Sequence, residues 1–321
     1  MATYKGIQGR SVQSLSSDPP SIEDSRGQLW YNTTTGTFKL ATENALSTGA
    51  WAAAPNLQTG RYYFHGAGSQ TAGIVANGSP VGTDVEIYDG SSWSEDADLN
   101  AAKGYPGVAG TSTAAICTGQ PTASKNVETW NGTSWSETAN TNTSRANAGP
   151  ARGPVTATIV AGGAPTSGET ETYDGTSWTE TGHTMNSAAT QGKAGLGIQT
   201  AMMSVGGEPS VALSETYNGT TWTEGNNINT GRGNFSGSGT VTAGIVFCGT
   251  SGGTNASETY DGTSWSTAPT TAQAHGPGAA GGDVGSSMNA AFAAGGYTAG
   301  AVVNVDHWTY TQYEAKTVTV S

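Results

Sequence analysis

The chain has 321 residues, 48 of them Gly, with 9 Trp, 12 Tyr, 11% charged residues and a formal charge of −12. So many large rings exclude a disordered chain, and the acid excess lacks the basic footprint of a nucleic-acid-binding domain, so no nucleic-acid partner is expected. No window sustains a 3.6-residue apolar period; short β-branched runs between Gly clusters predict an all-β protein.

In chain order, MATYKGIQGRSVQS comes first and lacks the apolar core of a signal peptide. No later stretch is long and apolar enough to span a bilayer, so membrane insertion is not expected. Residues 1–46 form an N-terminal segment whose clearest element is GQLWYNTTTGTFKL, Gly27 to Leu40, an amphipathic hairpin with a Thr/Gly turn. Trp30, Tyr31 and Asn32 lie on its first strand. The stretch resembles a short motif of tail and other virion proteins of bacteriophages, in which a Trp-Tyr-Asn strand precedes a Thr-Gly turn. That resemblance implies attachment through these residues to other virion proteins or sister chains. An edge hairpin packed on the next domain is the alternative.

Residues 47–310 repeat. Trp falls at 51, 93, 135, 178, 222, 265 and 308, at intervals of 42, 42, 43, 44, 43 and 43. Each interval holds a polar loop, a Gly/Ala-rich segment, an apolar run ending in Gly, a variable loop, and a strand ending in Tyr or Trp. An Asp/Asn-Gly turn and the strand that carries the Trp complete it. Four short strands per repeat make one blade of a β-propeller. The diglycines Gly162-Gly163, Gly206-Gly207 and Gly295-Gly296, followed in the first two by Tyr173 and Trp178 and by Tyr217 and Trp222, resemble kelch-type propellers. Six apolar runs predict a six-bladed kelch-like propeller, with seven blades as the runner-up. The strand LSTGAW around Trp51 is expected to complete the last blade, because AVVNVDHW lacks the Asp-Gly turn. Residues 311–321, TQYEAKTVTVS, read as one further strand able to pair with the N-terminal extension.

Tyr88, Trp130, Tyr173, Tyr217 and Tyr260 stand five residues before a Trp and are expected to stack on it as structural cement. Asp and Asn alternate in the intervening turn, which suits a hairpin and not a general acid. Glu86, Glu128, Glu171, Glu215 and Glu258 also recur. Ten residues after each Trp lie Arg61, Lys103, Arg145, Ala188, Arg232 and His275. They are read as a basic ring at the central channel able to bind an anion, or as bases paired with carboxylates of their own blades. Cys117 and Cys248, far apart in apolar runs, are expected as buried free thiols.

No nucleophile–base pair, metal-ligand cluster or cofactor motif stands out, so neither an enzyme, a metal nor a cofactor is expected. The two resemblances together imply a phage virion protein, a tail fibre, other appendage or capsid decoration. It would be assembled in the host cytoplasm, be a homo-oligomer (a trimer by analogy with other appendages) and present its propeller to virion proteins or to a host surface glycan or receptor. A glycan-acting propeller enzyme and a cellular kelch-like interaction module are the alternatives.

Overall fold

The computed structural model describes residues 12–19, 28–43, 49–119, 124–145, 149–164, 168–186, 192–249, 255–275, 280–282, 288–310 and 313–318. It is all-β, and the chain divides into two units, one of residues 1–48 with 310–321 and one of residues 49–309. The C-terminal strand therefore belongs with the N-terminal segment.

Four strands come first: β1 (Gln13–Leu15), β2 (Leu29–Asn32), β3 (Thr37–Glu43) and β4 (Ala50–Ala54). Sheet I holds β5 (Gly66–Ser69), β6 (Ala72–Ala76), β7 (Val85–Tyr88) and β8 (Trp93–Asp96). Sheet II holds β9 (Gly107–Thr111), β10 (Ala114–Thr118), β11 (Val127–Trp130) and β12 (Trp135–Glu137). Sheet III holds β13 (Ala151–Arg152), β14 (Thr158–Ala161), β15 (Glu169–Tyr173) and β16 (Trp178–Thr184). Sheet IV holds β17 (Ala194–Ile198), β18 (Ala201–Val205), β19 (Ser214–Tyr217) and β20 (Trp222–Glu224). Sheet V holds β21 (Ser236–Gly239), β22 (Gly244–Phe247), β23 (Ser257–Tyr260) and β24 (Trp265–Ala268). Sheet VI takes β25 (Ala280–Gly282), β26 (Ala290–Ala294) and β27 (Val305–Thr309), and its fourth strand is β4. Finally β28 (Tyr313–Val318) pairs with β3, giving the N-terminal unit the order β1-β2-β3-β28.

The first strands of the six sheets meet in a cycle. β5 lies against β9, β9 against β13, β13 against β17, β17 against β21, β21 against β25, and β25 against β5. Small residues permit this approach: a Cβ on Gly195 would stand 2.4 Å from that of Pro150. The arrangement is propeller-like.

Each second strand is buried on both faces, which explains why its sequence reads as an unbroken apolar run. Alternate side chains enter different cores. Met203 packs with Phe235, Val246 and Trp265 towards sheet V, whereas Met202 packs with Ile159, Tyr217 and Trp222 towards sheet III. Third and fourth strands pair Tyr88 with Trp93, Trp130 with Trp135, Tyr173 with Trp178, Tyr217 with Trp222 and Tyr260 with Trp265. Ring centroids in these pairs lie 4.9–5.6 Å apart.

The seventh periodic tryptophan departs from this pattern. Trp308 pairs with Trp51, at a centroid distance of 5.5 Å, and lies on the third strand. It therefore occupies the slot held elsewhere by Tyr, and Trp51 holds the Trp slot of sheet VI. The even interval between Trp265 and Trp308 masks a longer final repeat.

Candidate recognition face

The repeated polar residues build locks between successive sheets. Gln58, in the link from β4 to β5, donates from its backbone N–H to the Glu86 carboxylate at 2.7 Å, and Thr59 N does so at 3.1 Å. Its side-chain amide reaches Trp93 O at 2.8 Å. Asn100, Asn142 and Asn229 make the same two contacts to Glu128 and Trp135 O, to Glu171 and Trp178 O, and to Glu258 and Trp265 O. This Asn/Gln series escaped the sequence reading, although it lies seven residues after each of the four tryptophans that precede it.

The basic series completes the locks. Arg61 meets Glu86 at 2.6 Å, Lys103 meets Glu128 at 3.3 Å, Arg145 meets Glu171 at 2.9 Å, and Arg232 meets Glu258 at 2.7 Å. His275 Nε2 lies 3.3 Å from Asp306 Oδ2 and its Nδ1 2.8 Å from Gly295 O, so both ring nitrogens face acceptors. All five bases are buried, with their heads turned to the third strand of their own sheet. Of the two readings of the basic series, these contacts agree with pairing to carboxylates of the same sheet, because an unpaired cation at such depth would be prohibitively costly. Asp306, overlooked in the sequence, fills the carboxylate slot of sheet VI. Burial alone would raise its carboxyl, yet hydrogen bonds from His275 and Gln273 hold it below the ordinary range. Ala188 lies outside the described residues; in sheet IV, Lys193 is the base near Glu215, and burial lowers its ammonium to about 8.

Other repeated residues are equally structural. Asp174 accepts from Thr176 N and Ser177 N at 2.8 Å, closing an exposed turn, and those bonds lower its carboxyl to about 2. Cys117 and Cys248 are free and buried, and burial pushes both thiols up to about 12. The diglycines mark consecutive residues of positive φ; Gly206 and Gly207 have 64° and 126°.

In the N-terminal unit, Trp30 and Asn32 are buried, and both donate to Asp18 Oδ1, at 3.2 and 3.0 Å. Tyr31 alternates to the other face of β2, where its ring lies 5.1 Å from Phe38, itself 38% exposed. Of the three expected attachment residues, only Tyr31 stands on the face that also presents an exposed ring.

Non-repeated chemistry gathers at one end of the 49–309 unit. Links between successive sheets run beside the loops joining second to third strands, as the bridges Tyr62–Ser79 and Lys103–Gly82 show. There Tyr297, Tyr62, Tyr63 and Tyr105 form a continuous run with successive centroids 4.9, 4.9 and 4.7 Å apart. Tyr63 and Tyr105 have φ of 54° and 55° and lie nearly parallel, at 18°. Burial and the nearby Glu208 carboxylate raise the Tyr63 phenol. Glu208 also accepts from Asn234 Nδ2 at 2.5 Å.

Nearer the cycle of first strands, Arg152 of β13 donates to Gly195 O at 2.8 Å and Gly237 O at 3.0 Å, tying sheet III to sheets IV and V. His65 Nδ1 donates to Pro106 O at 2.8 Å; burial first, then Arg152, lowers its imidazole to about 4. The adjoining gap, lined by Gly66, Ala67, Val108 and Arg152 among others, measures about 150 Å³. Ligand pockets generally need ~300 Å³ or more.

Among the described residues, no group of His, Cys, Asp and Glu has the arrangement of a metal site, and no helix is long and apolar enough to cross a membrane. No protein-family model matches the chain, and no curated protein matches its sequence. Its fold is similar to that of the solved structure titled "Structure of YjhT", with a TM-score of 0.61, 12% identity, and coverage of 82% of this chain and 99% of that one. At that identity the likeness extends to the fold alone.

Proposed function

We propose that residues 49–309 form a six-bladed kelch-like propeller closed by β4, and that the chain is a non-enzymatic bacteriophage virion protein presenting this propeller for recognition. The N-terminal unit would dock on other virion proteins or sister chains, placing the protein on a tail fibre, appendage or capsid. The observation that carries the recognition reading is the division of labour between residues. Repeated polar groups close the locks between sheets, whereas the non-repeated tyrosines gather, partly exposed, on the variable loop end. Recognition residues concentrate on loops held by a rigid scaffold. The virion assignment is supported by the resemblance of Gly27–Leu40 to phage tail and virion segments.

Mass spectrometry of gradient-purified particles is expected to find the chain at stoichiometric levels, and mass photometry of the isolated protein to find a trimer. Absence from particles would overturn the virion assignment in favour of a cellular interaction module. Turnover of a glycan by the purified chain would overturn the non-enzymatic one.

A further inference from the structure

We infer that the tyrosine run formed by Tyr297, Tyr62, Tyr63 and Tyr105 is a saccharide-binding site, and that its ligand is a neutral oligosaccharide. The inference rests on the recognition reading above but not on where the protein is displayed.

The fold does not require these rings. Gly192 and Asn234, also of positive φ and two residues ahead of the first strand in sheets IV and V, occupy the place that Tyr105 takes in sheet II. Gly and Asn tolerate that backbone region; a bulky residue there is unusual and costs about 1–2 kcal/mol. Tyr63 and Tyr105 both adopt it, and strained non-glycine residues cluster where function holds them. The result is a line of rings drawn from sheets VI, I and II, two of them nearly parallel.

The chemistry of the patch matches a sugar. Flat aromatic faces take the C–H face of a pyranose, while phenol and carboxylate edges meet its hydroxyls. Both kinds of group are present: the phenols of Tyr63 and Tyr105 stay protonated at neutral pH, and Glu208 with Asn234 supplies the polar rim. The exposed area of the rings matches a small ligand. Tyr297 is 41% exposed and the other three less, so the rings present on the order of 300 Å². A stable protein interface needs about 800 Å² per partner, whereas one or two sugar units need far less. Charge selects among saccharides, because a rim carboxylate on a chain of charge −12 disfavours an anionic ligand.

The test is titration of the full chain with neutral gluco-, galacto- and chito-oligosaccharides, followed by calorimetry and by saturation-transfer NMR with irradiation of the aromatic region. At least one series is expected to bind, with C–H protons receiving the saturation. Tyr105→Ala and Tyr297→Ala should each raise Kd about tenfold. Tyr297, exposed at the rim, keeps the test independent of folding, since its removal should leave the melting temperature unchanged. Phe38→Ala, in the other unit, should leave Kd unchanged. No binding by any neutral series, binding only of anionic saccharides, or a Kd indifferent to both tyrosine variants would overturn the site. Absence of the chain from particles would instead overturn the virion assignment and leave these titrations standing.

Discussion

Arg145 and Glu171 illustrate what a buried charge demands of its neighbours. Glu171 accepts from Asn142 N, Thr143 N and Arg145 Nη2, and Arg145 Nη1 also reaches Gly162 O. Removing one partner strands the other in low dielectric. Arg145→Met is therefore expected to cost about 3–5 kcal/mol in urea unfolding, and Arg145→Met with Glu171→Leu to recover part of that loss. A second residue-scale prediction concerns indoles. Trp222 Nε1 donates to Thr170 Oγ1 at 2.9 Å and Trp51 Nε1 to Ser257 Oγ at 3.0 Å, whereas Trp178 Nε1 is buried without a partner. Val127, just ahead of Glu128 as Thr170 is ahead of Glu171, is the residue that would face it. Val127→Thr should stabilise the protein by about 0.5–1.5 kcal/mol, read as a rise in the urea midpoint. His65 sets a pH dependence. Its imidazole is lowered from 6.5 to about 4, so the unfolded chain takes up the proton first as pH falls. Stability should be full above 6.5 and decline between 6.5 and about 4. Denaturant titrations across that window should show the decline, and His65→Gln should flatten it.

At the scale of elements, the turn after each second strand decides how closely adjacent sheets approach. Gly206 has φ of 64°, and a Cβ there would stand 2.5 Å from the Phe235 ring. Gly206→Ala combines an unfavourable backbone with a clash and should destabilise by about 1–3 kcal/mol, seen as a lowered melting temperature. The strands themselves were legible. Period, turns and the Tyr–Trp pairing all follow from residues a few positions apart, and the structure places those rings directly opposite one another. The role of Trp308 was not legible, because an even count of residues is indifferent to which strand a residue enters. Only pairing with Trp51 reveals that Trp308 stands in a tyrosine's slot.

For the whole molecule, sheet VI depends on a strand from the opposite end of its unit. A chain beginning at residue 49 keeps β4, whereas one beginning at residue 55 leaves β27 with an open edge and removes Trp51 from Phe247 and Trp308. The first is expected to retain the cooperative melting transition of the 49–309 unit. The second should melt far lower and aggregate through the exposed edge, as measured by calorimetry and light scattering. By itself the sequence determined the all-β class, the repeat, its turns and its aromatic pairs, because each is a matter of spacing along a few tens of residues. Tertiary structure alone decided that Arg61, Lys103, Arg145 and Arg232 lie in buried ion pairs, that Asp306 replaces a glutamate, and that Arg152 links three sheets. It also decided that tyrosines from three sheets come together. Those facts depend on which atoms meet across sheets, and the low dielectric between sheets makes such meetings obligatory for charge while linear spacing leaves them unspecified.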